Sequence, residues 1–450
     1  MGVSDSITFK ALGLLSAYSS FSKTYNFLKE SQFWSKDQLE EYQLNRLEEL
    51  LHHSYENVPY YTRVFNERGI KPREIQDFND LELLPFLTKE LIRENLNDLK
   101  AKNVPNNRFE YVTTGGTSGV PLGFYYEKGV SRAIEWAFIK TLWDRVGYNF
   151  RDKCLILKGD TVESAKKGIF WKNTFFGRWL VLSSYHMTDA NLGHYVEKIR
   201  EFKPSFIQAY PSTITILAYY MQKNDIKPFE SVKSILCGSE NIYPHQRQLL
   251  EKVLDCRVYT WYGHSERTVL AGECEKSNHY HIFPEYGIFE LVDDGGKKVK
   301  SDDAIGTIVG TGLTNYVMPL IRYKTDDLAT YSTKKCKCQR NYQQIKDVKG
   351  RWVQEFIIAN EHRLIPITAL NMHSNVFDNV EQFQFHQDKV GEVILNIVKK
   401  PSYIQKDSEY IHTELMKKLG DLSLELKFVD EIPRTSRGKY RFLIQELNFN

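Results

Sequence analysis

The sequence predicts an α/β fold: a large N-terminal domain with mostly parallel sheets and a β-subdomain, plus a small C-terminal α/β domain. Three observations carry this. Between residues 153 and 240 short apolar runs alternate with helical patterns, the rhythm of βαβ units on a parallel sheet. Residues 286–331 switch to strong two-residue alternation ("IFELVDD", "GTIVGTGL") with a turn at Asp293–Gly296, which marks the β-subdomain. After about residue 350 a separate α/β pattern begins, and it ends in the Pro433–Lys439 loop. The expected domains are therefore 1–350, with the β-subdomain at about 286–345, and 351–450.

The elements follow in order. Leucines at 39, 44, 47, 50 and 51 have helical spacing and predict a helix over 36–56. Thr88 stands as an N-cap after the Leu84–Pro85 break. Residues 129–147 read as a helix rich in Ala, Trp and Phe. "KCLILKGD" (153–160) and "SILCGSE" (234–240) read as buried strands, each closing on glycine and a polar residue. Between them, "NLGHYVEKIREFKPSFIQAYPS" reads as helix, strand and turn. Ligands of such sheets sit beyond the carboxyl ends of the strands, so Tyr210–Ser212 and Gly238–Glu240 belong near a site.

Composition narrows the class. A chain of 450 residues has a prior of two to three domains, and 42% hydrophobic with 26% charged residues supports a large core. Sixty basic against 57 acidic residues leave a net charge of +3, too balanced for a nucleic-acid surface. Leu12–Tyr18 is too short for a secretory leader and no run is long enough to span a bilayer, so a soluble cytoplasmic protein is expected. Six cysteines are not a disulfide framework, and Cys154, Cys237 and Cys256 read as structural.

Four motifs carry candidate chemistry. In "TTGGTSGVP" (113–121), Gly115, Gly116 and Gly119 expose backbone N–H groups while Thr113, Thr114, Thr117 and Ser118 add hydroxyls, a set that can wrap a polyphosphate. No Gly-Lys-Ser/Thr follows, so it is not a Walker loop. "YGHSE" (262–266) sets Glu266 where a carboxylate could hold Mg²⁺ against phosphate. In "MPLIRYKTDDLA" (318–329), Asp327 could accept from ribose hydroxyls. In "EIPRTSRGKYR" (431–441), Lys439 could neutralise charge at a reacting carboxylate and α-phosphate. Taken singly, each has a plainer reading: a turn, a solvated glutamate, a turn aspartate, a surface lysine.

Their order is more telling. The Gly-rich loop, Tyr-Gly-x-Ser-Glu, Arg-Tyr-x-x-x-Asp, Gly-Arg and terminal Pro-x-Thr-x-x-Gly-Lys resemble the ordered signature of the adenylate-forming superfamily. "NVPYYTRVF" (57–65), "LPFLTKELIREN" (84–95) and "QAYPSTI" (208–214) are similar to its phenylacetate–CoA ligase and capsule-biosynthesis (CapK-type) branch. The resemblance spans roughly residues 40–445. It implies ATP-dependent formation of an acyl-adenylate, with a mobile C-terminal lid. It also implies roles: the 113–121 loop on the ATP phosphates; Gly238, Ser239, Glu240, Tyr262 and Gly263 around adenine and the carboxylate; Ser265 and Glu266 on phosphate and Mg²⁺. Asp327 would bind ribose, Arg351 the ribose–phosphate end, and Lys439 would be the adenylation lysine. Tyr210, Pro211 and His186 would line the acyl pocket, although His186 reads equally as a satisfied polar histidine.

The chain departs from that family at Val120, where a lysine is common, and at Asp326, where glycine usually precedes the ribose aspartate. Past Arg351 the run "WVQEFIIANEHRLIP" replaces the usual acidic hinge, leaving Glu355 as a hinge candidate. Implied partners are a small carboxylic acid and an amine or CoA acceptor, with an amine preferred on the altered hinge; a homodimer is carried as an expectation.

Cys336-Lys337-Cys338 and Cys274, with His279 and His281 close after it, offer three thiols and an imidazole, which match a closed structural zinc site. Members of the same branch carry a similar cluster, and His281 fits that position better than His279. The alternative is reduced cysteines on a loop. Such a zinc would pin the 332–342 loop to the β-subdomain and take no part in catalysis.

Overall fold

The structure is a computed structural model, and it describes residues 3–114, 122–160, 162, 165, 168–349, 356–360, 363–370, 375–433 and 441–447. The chain divides into two compact units. The first holds residues 1–112, 123–148 and 261–350; the second holds 113–122, 149–260 and 351–450.

The first unit pairs N-terminal helices with an antiparallel sheet. Helix Lys36–Asn57 buries Leu39, Leu47, Leu50 and Leu51 along the stripe that the sequence marks. Ser35 caps it by accepting the Gln38 N–H, a capping box that satisfies two otherwise orphaned donors. Thr88 caps the short helix Lys89–Glu94 as expected, accepting from the Leu91 N–H. Helix Ser131–Asp144 lies within the predicted 129–147. Strands Gly287–Val292, Ile305–Gly312, Tyr323–Ser332, Gln344–Lys349, Ser277–Ile282 and Leu270–Cys274 lie side by side in that order, each antiparallel to the next. Antiparallel pairing already begins at Trp261–Gly263 with Leu270–Gly272, and the Cys/His-bearing stretch 270–282 is itself a hairpin.

The second unit contains the parallel sheet. Residues 257–260, Ser234–Cys237, Phe206–Ala209, Cys154–Leu157 and Trp179–Leu182 pair in parallel, and Trp171–Thr174 closes the edge antiparallel. All four residues of Cys154–Leu157 and of Ser234–Cys237 are buried, so these strands read as continuous apolar runs. Helices Asp189–Phe202 and Pro211–Lys223 are the crossovers. The C-terminal part is a four-stranded sheet in the order Ser423–Phe428, Glu392–Lys399, Val380–Gln387, Leu443–Gln445, packed with helix Gln405–Leu419. Tyr185 joins its apolar core, alongside Ile357, Phe383 and Leu415. Cys154 and Cys237 are buried, and Cys256 packs against the core of the parallel sheet.

Candidate functional site

In the first unit, two segments distant in sequence converge. The bend 264–266 follows residues Trp261–Gly263, which pair with Leu270–Gly272. The strand Tyr323–Ser332 supplies the other side. Glu266 is 8% exposed and accepts the Tyr323 hydroxyl at 2.5 Å. Its other oxygen lies 3.2 Å from His264 Nδ1, and His264 Nε2 lies 3.2 Å from the Thr268 hydroxyl. Burial alone would raise the Glu266 carboxyl; the His264 hydrogen bond and charge, the Lys89 ammonium and the Tyr323 hydroxyl outweigh it and hold it down to about 2. A buried carboxylate kept ionised in this way can bind a hard cation.

Asp327 accepts the Tyr262 hydroxyl at 2.9 Å, and its N–H donates to Thr325 Oγ1 at 3.1 Å. Burial and this neighbouring carboxylate push the Tyr262 phenol well above its usual range, so it stays a donor. Asp326 has φ +65°, which explains why glycine suits this position; aspartate tolerates the left-handed region better than most residues. Its carboxylate lies 3.5 Å from the Lys89 ammonium, which also donates to the Thr325 carbonyl at 3.3 Å. Leu87 pairs with the strand at Tyr323 and brings Lys89 there. Tyr126 donates to the Ser265 carbonyl, and Gly263 is exposed beside them. Arg322 of the same motif is structural: it forks onto Glu290 at 3.1 and 3.2 Å and donates to the Leu84 carbonyl. Sequence reasoning named Tyr262, Glu266 and Asp327 but missed His264, Tyr323 and Lys89. All three stand inside motifs already singled out, and that was their only signal.

In the second unit, Thr114 closes the base of the Gly-rich loop: its N–H donates to the Leu122 carbonyl at 2.9 Å, and its hydroxyl accepts the Leu122 N–H at 3.1 Å. Thr113 beside it is buried. Gly115, Gly116, Thr117, Ser118 and Val120 lie outside the described residues, as do Arg351, Val353, Gln354, Glu355 and Lys439. Glu240 is buried and tied to the helix that follows the neighbouring strand. Its two oxygens accept the Ser212 N–H at 2.9 Å and the Ser212 hydroxyl at 2.8 Å, anchoring the start of helix Pro211–Lys223. Pro211 opens that helix and Tyr210 precedes it. Gly238 is buried, and Ser239, exposed after it, sits at φ +68°, a strained position for a non-glycine residue. His186 Nδ1 lies 2.8 Å from the Ser183 hydroxyl, and the ring stacks on Phe170. Burial lowers its pKa and keeps the ring neutral.

Cys274, His281, Cys336 and Cys338 gather in the first unit, with their ligand atoms all within 4.8 Å of one another. Cys274 and Cys336 sulfurs are 3.5 Å apart, and Cys338 sulfur is 3.3 Å from His281 Nε2. His281 Nδ1 lies 3.1 Å from the His279 carbonyl, which fixes the tautomer with Nε2 free to ligate. A tetrahedral zinc with bonds of about 2.0–2.3 Å needs ligand atoms about 3.3–3.8 Å apart, so the donor set fits. The Lys276 N–H also points at the Cys274 sulfur at 3.3 Å.

Residues 357–446 match the CapK C-terminal domain family. The chain is 26% identical to Protein CapK of Staphylococcus aureus over 427 residues, covering 90% of this chain and 89% of that one. It is 27% identical to the phenylacetate–coenzyme A ligase of Thermus thermophilus over 339 residues, 72% of each chain. Among solved structures, 2-hydroxyisobutyryl-CoA ligase with 2-HIB-AMP and CoA superposes with a TM-score of 0.60 at 20% identity, covering 92% of this chain and 91% of that one. The resemblance to the adenylate-forming superfamily, in its phenylacetate–CoA ligase and CapK-type branch, stands. No described helix is long and apolar enough to cross a membrane.

Proposed function

We propose that this adenylate-forming enzyme of the phenylacetate–CoA ligase and CapK-type branch uses ATP to convert a carboxylic acid into an acyl-adenylate, releasing pyrophosphate. It then passes the acyl group to an amine, forming an amide bond in surface or capsular polysaccharide biosynthesis.

The observation that carries the first step is the convergence of Tyr262, Glu266, Tyr323 and Asp327. Glu266, kept ionised, would hold Mg²⁺; a bound Mg²⁺ supplies positive charge to the polyphosphate. Asp327, which accepts the Tyr262 hydroxyl, would accept from ribose hydroxyls. The Thr113–Ser118 segment would cradle the phosphates with hydroxyls and N–H groups, Arg351 would hold the ribose–phosphate end, and Lys439 would neutralise the charge that develops when the carboxylate attacks the α-phosphate. No base is needed, because a carboxylic acid is already ionised at pH 7. The domain 351–450 would act as the lid. Zinc in the Cys274–His281–Cys336–Cys338 set would tie the loop after Ser332 to the 274–281 hairpin. We also keep the homodimer as a proposal, checked by light scattering.

The capsule reading draws support from the long similarity to Protein CapK, and the amine acceptor from the altered hinge run after Arg351. A CoA thiol acceptor is the second reading, favoured by the similarity to phenylacetate–CoA ligases. ATP–pyrophosphate exchange over a panel of amino, hydroxy and aryl acids tests the first step. At least one acid should support exchange, and none doing so would count against adenylation. Amines or CoA added to an active pair then separate the acceptors.

A further inference from the structure

Residues 333–343 join the strands Tyr323–Ser332 and Gln344–Lys349 without forming helix or strand. Such a stretch has no regular ladder to hold it, so its placement falls largely to side chains. Cys336 and Cys338 lie within it, and the residues just after them converge on one place. Arg340 Nε donates to Gln32 Oε1 at 2.9 Å, and the guanidinium lies 5.2 Å above the Phe33 ring. Asn341 Nδ2 donates to the Trp34 carbonyl at 2.8 Å. The Tyr342 hydroxyl donates to the Glu285 carboxylate at 2.8 Å, and the Ser31 hydroxyl donates to the same carboxylate at 2.6 Å. Three consecutive residues, 340–342, thus grip four consecutive residues, 31–34.

Residues 31–34 are the corner between the helices Val3–Ser31 and Lys36–Asn57. Ser31 and Gln32 are buried there. The Phe27 and Trp34 rings meet edge-on at 5.4 Å, and Tyr42 closes against Phe27 at 5.2 Å, so the corner sets how the first helix lies on the second. Further up the first helix, Tyr25 donates to Asp144 at 2.7 Å, on the helix Ser131–Asp144.

The grip is joined to the metal set at three points. Arg340 stands two residues after Cys338. Its Nη1 lies 3.1 Å from both oxygens of Glu275, the residue directly after Cys274. The N–H of Ile282, directly after His281, donates to the Gln343 carbonyl at 2.9 Å. A metal bonded to Cys274, His281 and the Cys-x-Cys pair supplies the bonds that fix such a segment, and its binding energy becomes ordering energy for whatever the segment carries. We infer that the metal set works as a latch for the N-terminal helices: metal at Cys274, His281, Cys336 and Cys338 holds 340–342 in place, and these hold the corner 31–34, with Arg340 as the positioning residue. The inference rests on the metal reading and goes beyond it, since a metal that only tied the loop to the 274–281 hairpin would leave the corner unchanged.

Hydrogen exchange of the full chain, read by mass spectrometry on peptides spanning 31–34, tests it, with zinc content measured on the same samples. Removing zinc with a chelator should speed exchange there by roughly 10-fold or more, while the strands Cys154–Leu157 and Ser234–Cys237 stay protected, and added zinc should reverse the change. Arg340→Met should keep about one zinc per chain yet loosen the corner to a similar degree, and chelation should then add little. Asn341→Ala, which removes only the donor to the Trp34 carbonyl, should loosen it by a smaller factor. A zinc-loaded chain whose corner exchanges no faster after chelation would overturn the inference. So would an Arg340→Met chain whose corner still answers to zinc as the unmodified chain does. Protection lost throughout on chelation would also overturn it, because the metal would then hold the whole fold. If the protein takes up no zinc, the metal reading itself fails and the latch with it, a result that the zinc content separates from the others.

Discussion

The Glu266 cluster of the first unit and the bend 158–160, after the strand Cys154–Leu157 of the second, solve opposite problems with buried charge. Around Glu266 the ties are mutual: a hydroxyl, an imidazole and a nearby ammonium all serve one carboxylate, which stays ionised. Around Asp160 the balance is reversed: burial outweighs the attraction of Lys158, Lys172 and Lys418 and raises the carboxyl, and burial also lowers the Lys158 and Lys418 ammonium groups to about 8. The difference is whether partners or burial decide the charge state: direct ties keep Glu266 ionised, while at Asp160 burial prevails.

The largest effect should come from breaking the Glu266 cluster. Glu266→Ala should lower acid-dependent exchange by roughly 10²–10³-fold, since it removes the proposed Mg²⁺ ligand. Exchange within a few fold of the unmodified enzyme would remove Glu266 from that role. Next comes the metal set. Cys336→Ser should weaken zinc binding by more than about 100-fold and lower the thermal midpoint, read by metal analysis and calorimetry. Purified protein holding well under one zinc per chain before any chelation would break the metal assignment.

A smaller effect probes the second unit. Arg363, 6% exposed, donates to the carbonyls of Tyr185 and Leu419 and pairs with Asp421. Arg363→Met would leave buried acceptors unpaired, at a cost of about 1–3 kcal/mol in unfolding free energy. Urea unfolding measures it; an unchanged midpoint would mean that water replaces the guanidinium. The smallest change sharpens the comparison. Tyr323→Phe removes one of the groups on Glu266 and should slow exchange by about 5-fold, near 1 kcal/mol. A loss as large as that of Glu266→Ala would mean that the cluster depends on the phenol more than on the carboxylate.

Local rules made much of the fold legible. The leucine stripe of 39–51 and the Thr88 cap follow from helical spacing and an orphaned N–H, which neighbours in sequence determine. The Cys-x-Cys pair with Cys274 and His281 was legible because few other uses bring three thiols and an imidazole together. Motif order marked Glu266 and Asp327 as candidates. It did not mark their partners: Tyr323 reaches Glu266 from 57 residues away, and no periodicity encodes that contact. The bond from Glu240 to Ser212, 28 residues back, was likewise not legible from local pattern.

Adenylation has one direct signature. When a carboxylate attacks the α-phosphate and an acceptor then takes the acyl group, one oxygen of the acid leaves on AMP. With an acid labelled in its carboxylate by ¹⁸O, mass spectrometry of the AMP formed during full turnover should show a single labelled oxygen, and phosphate and pyrophosphate should stay unlabelled. Unlabelled AMP, or label in inorganic phosphate, would contradict the account.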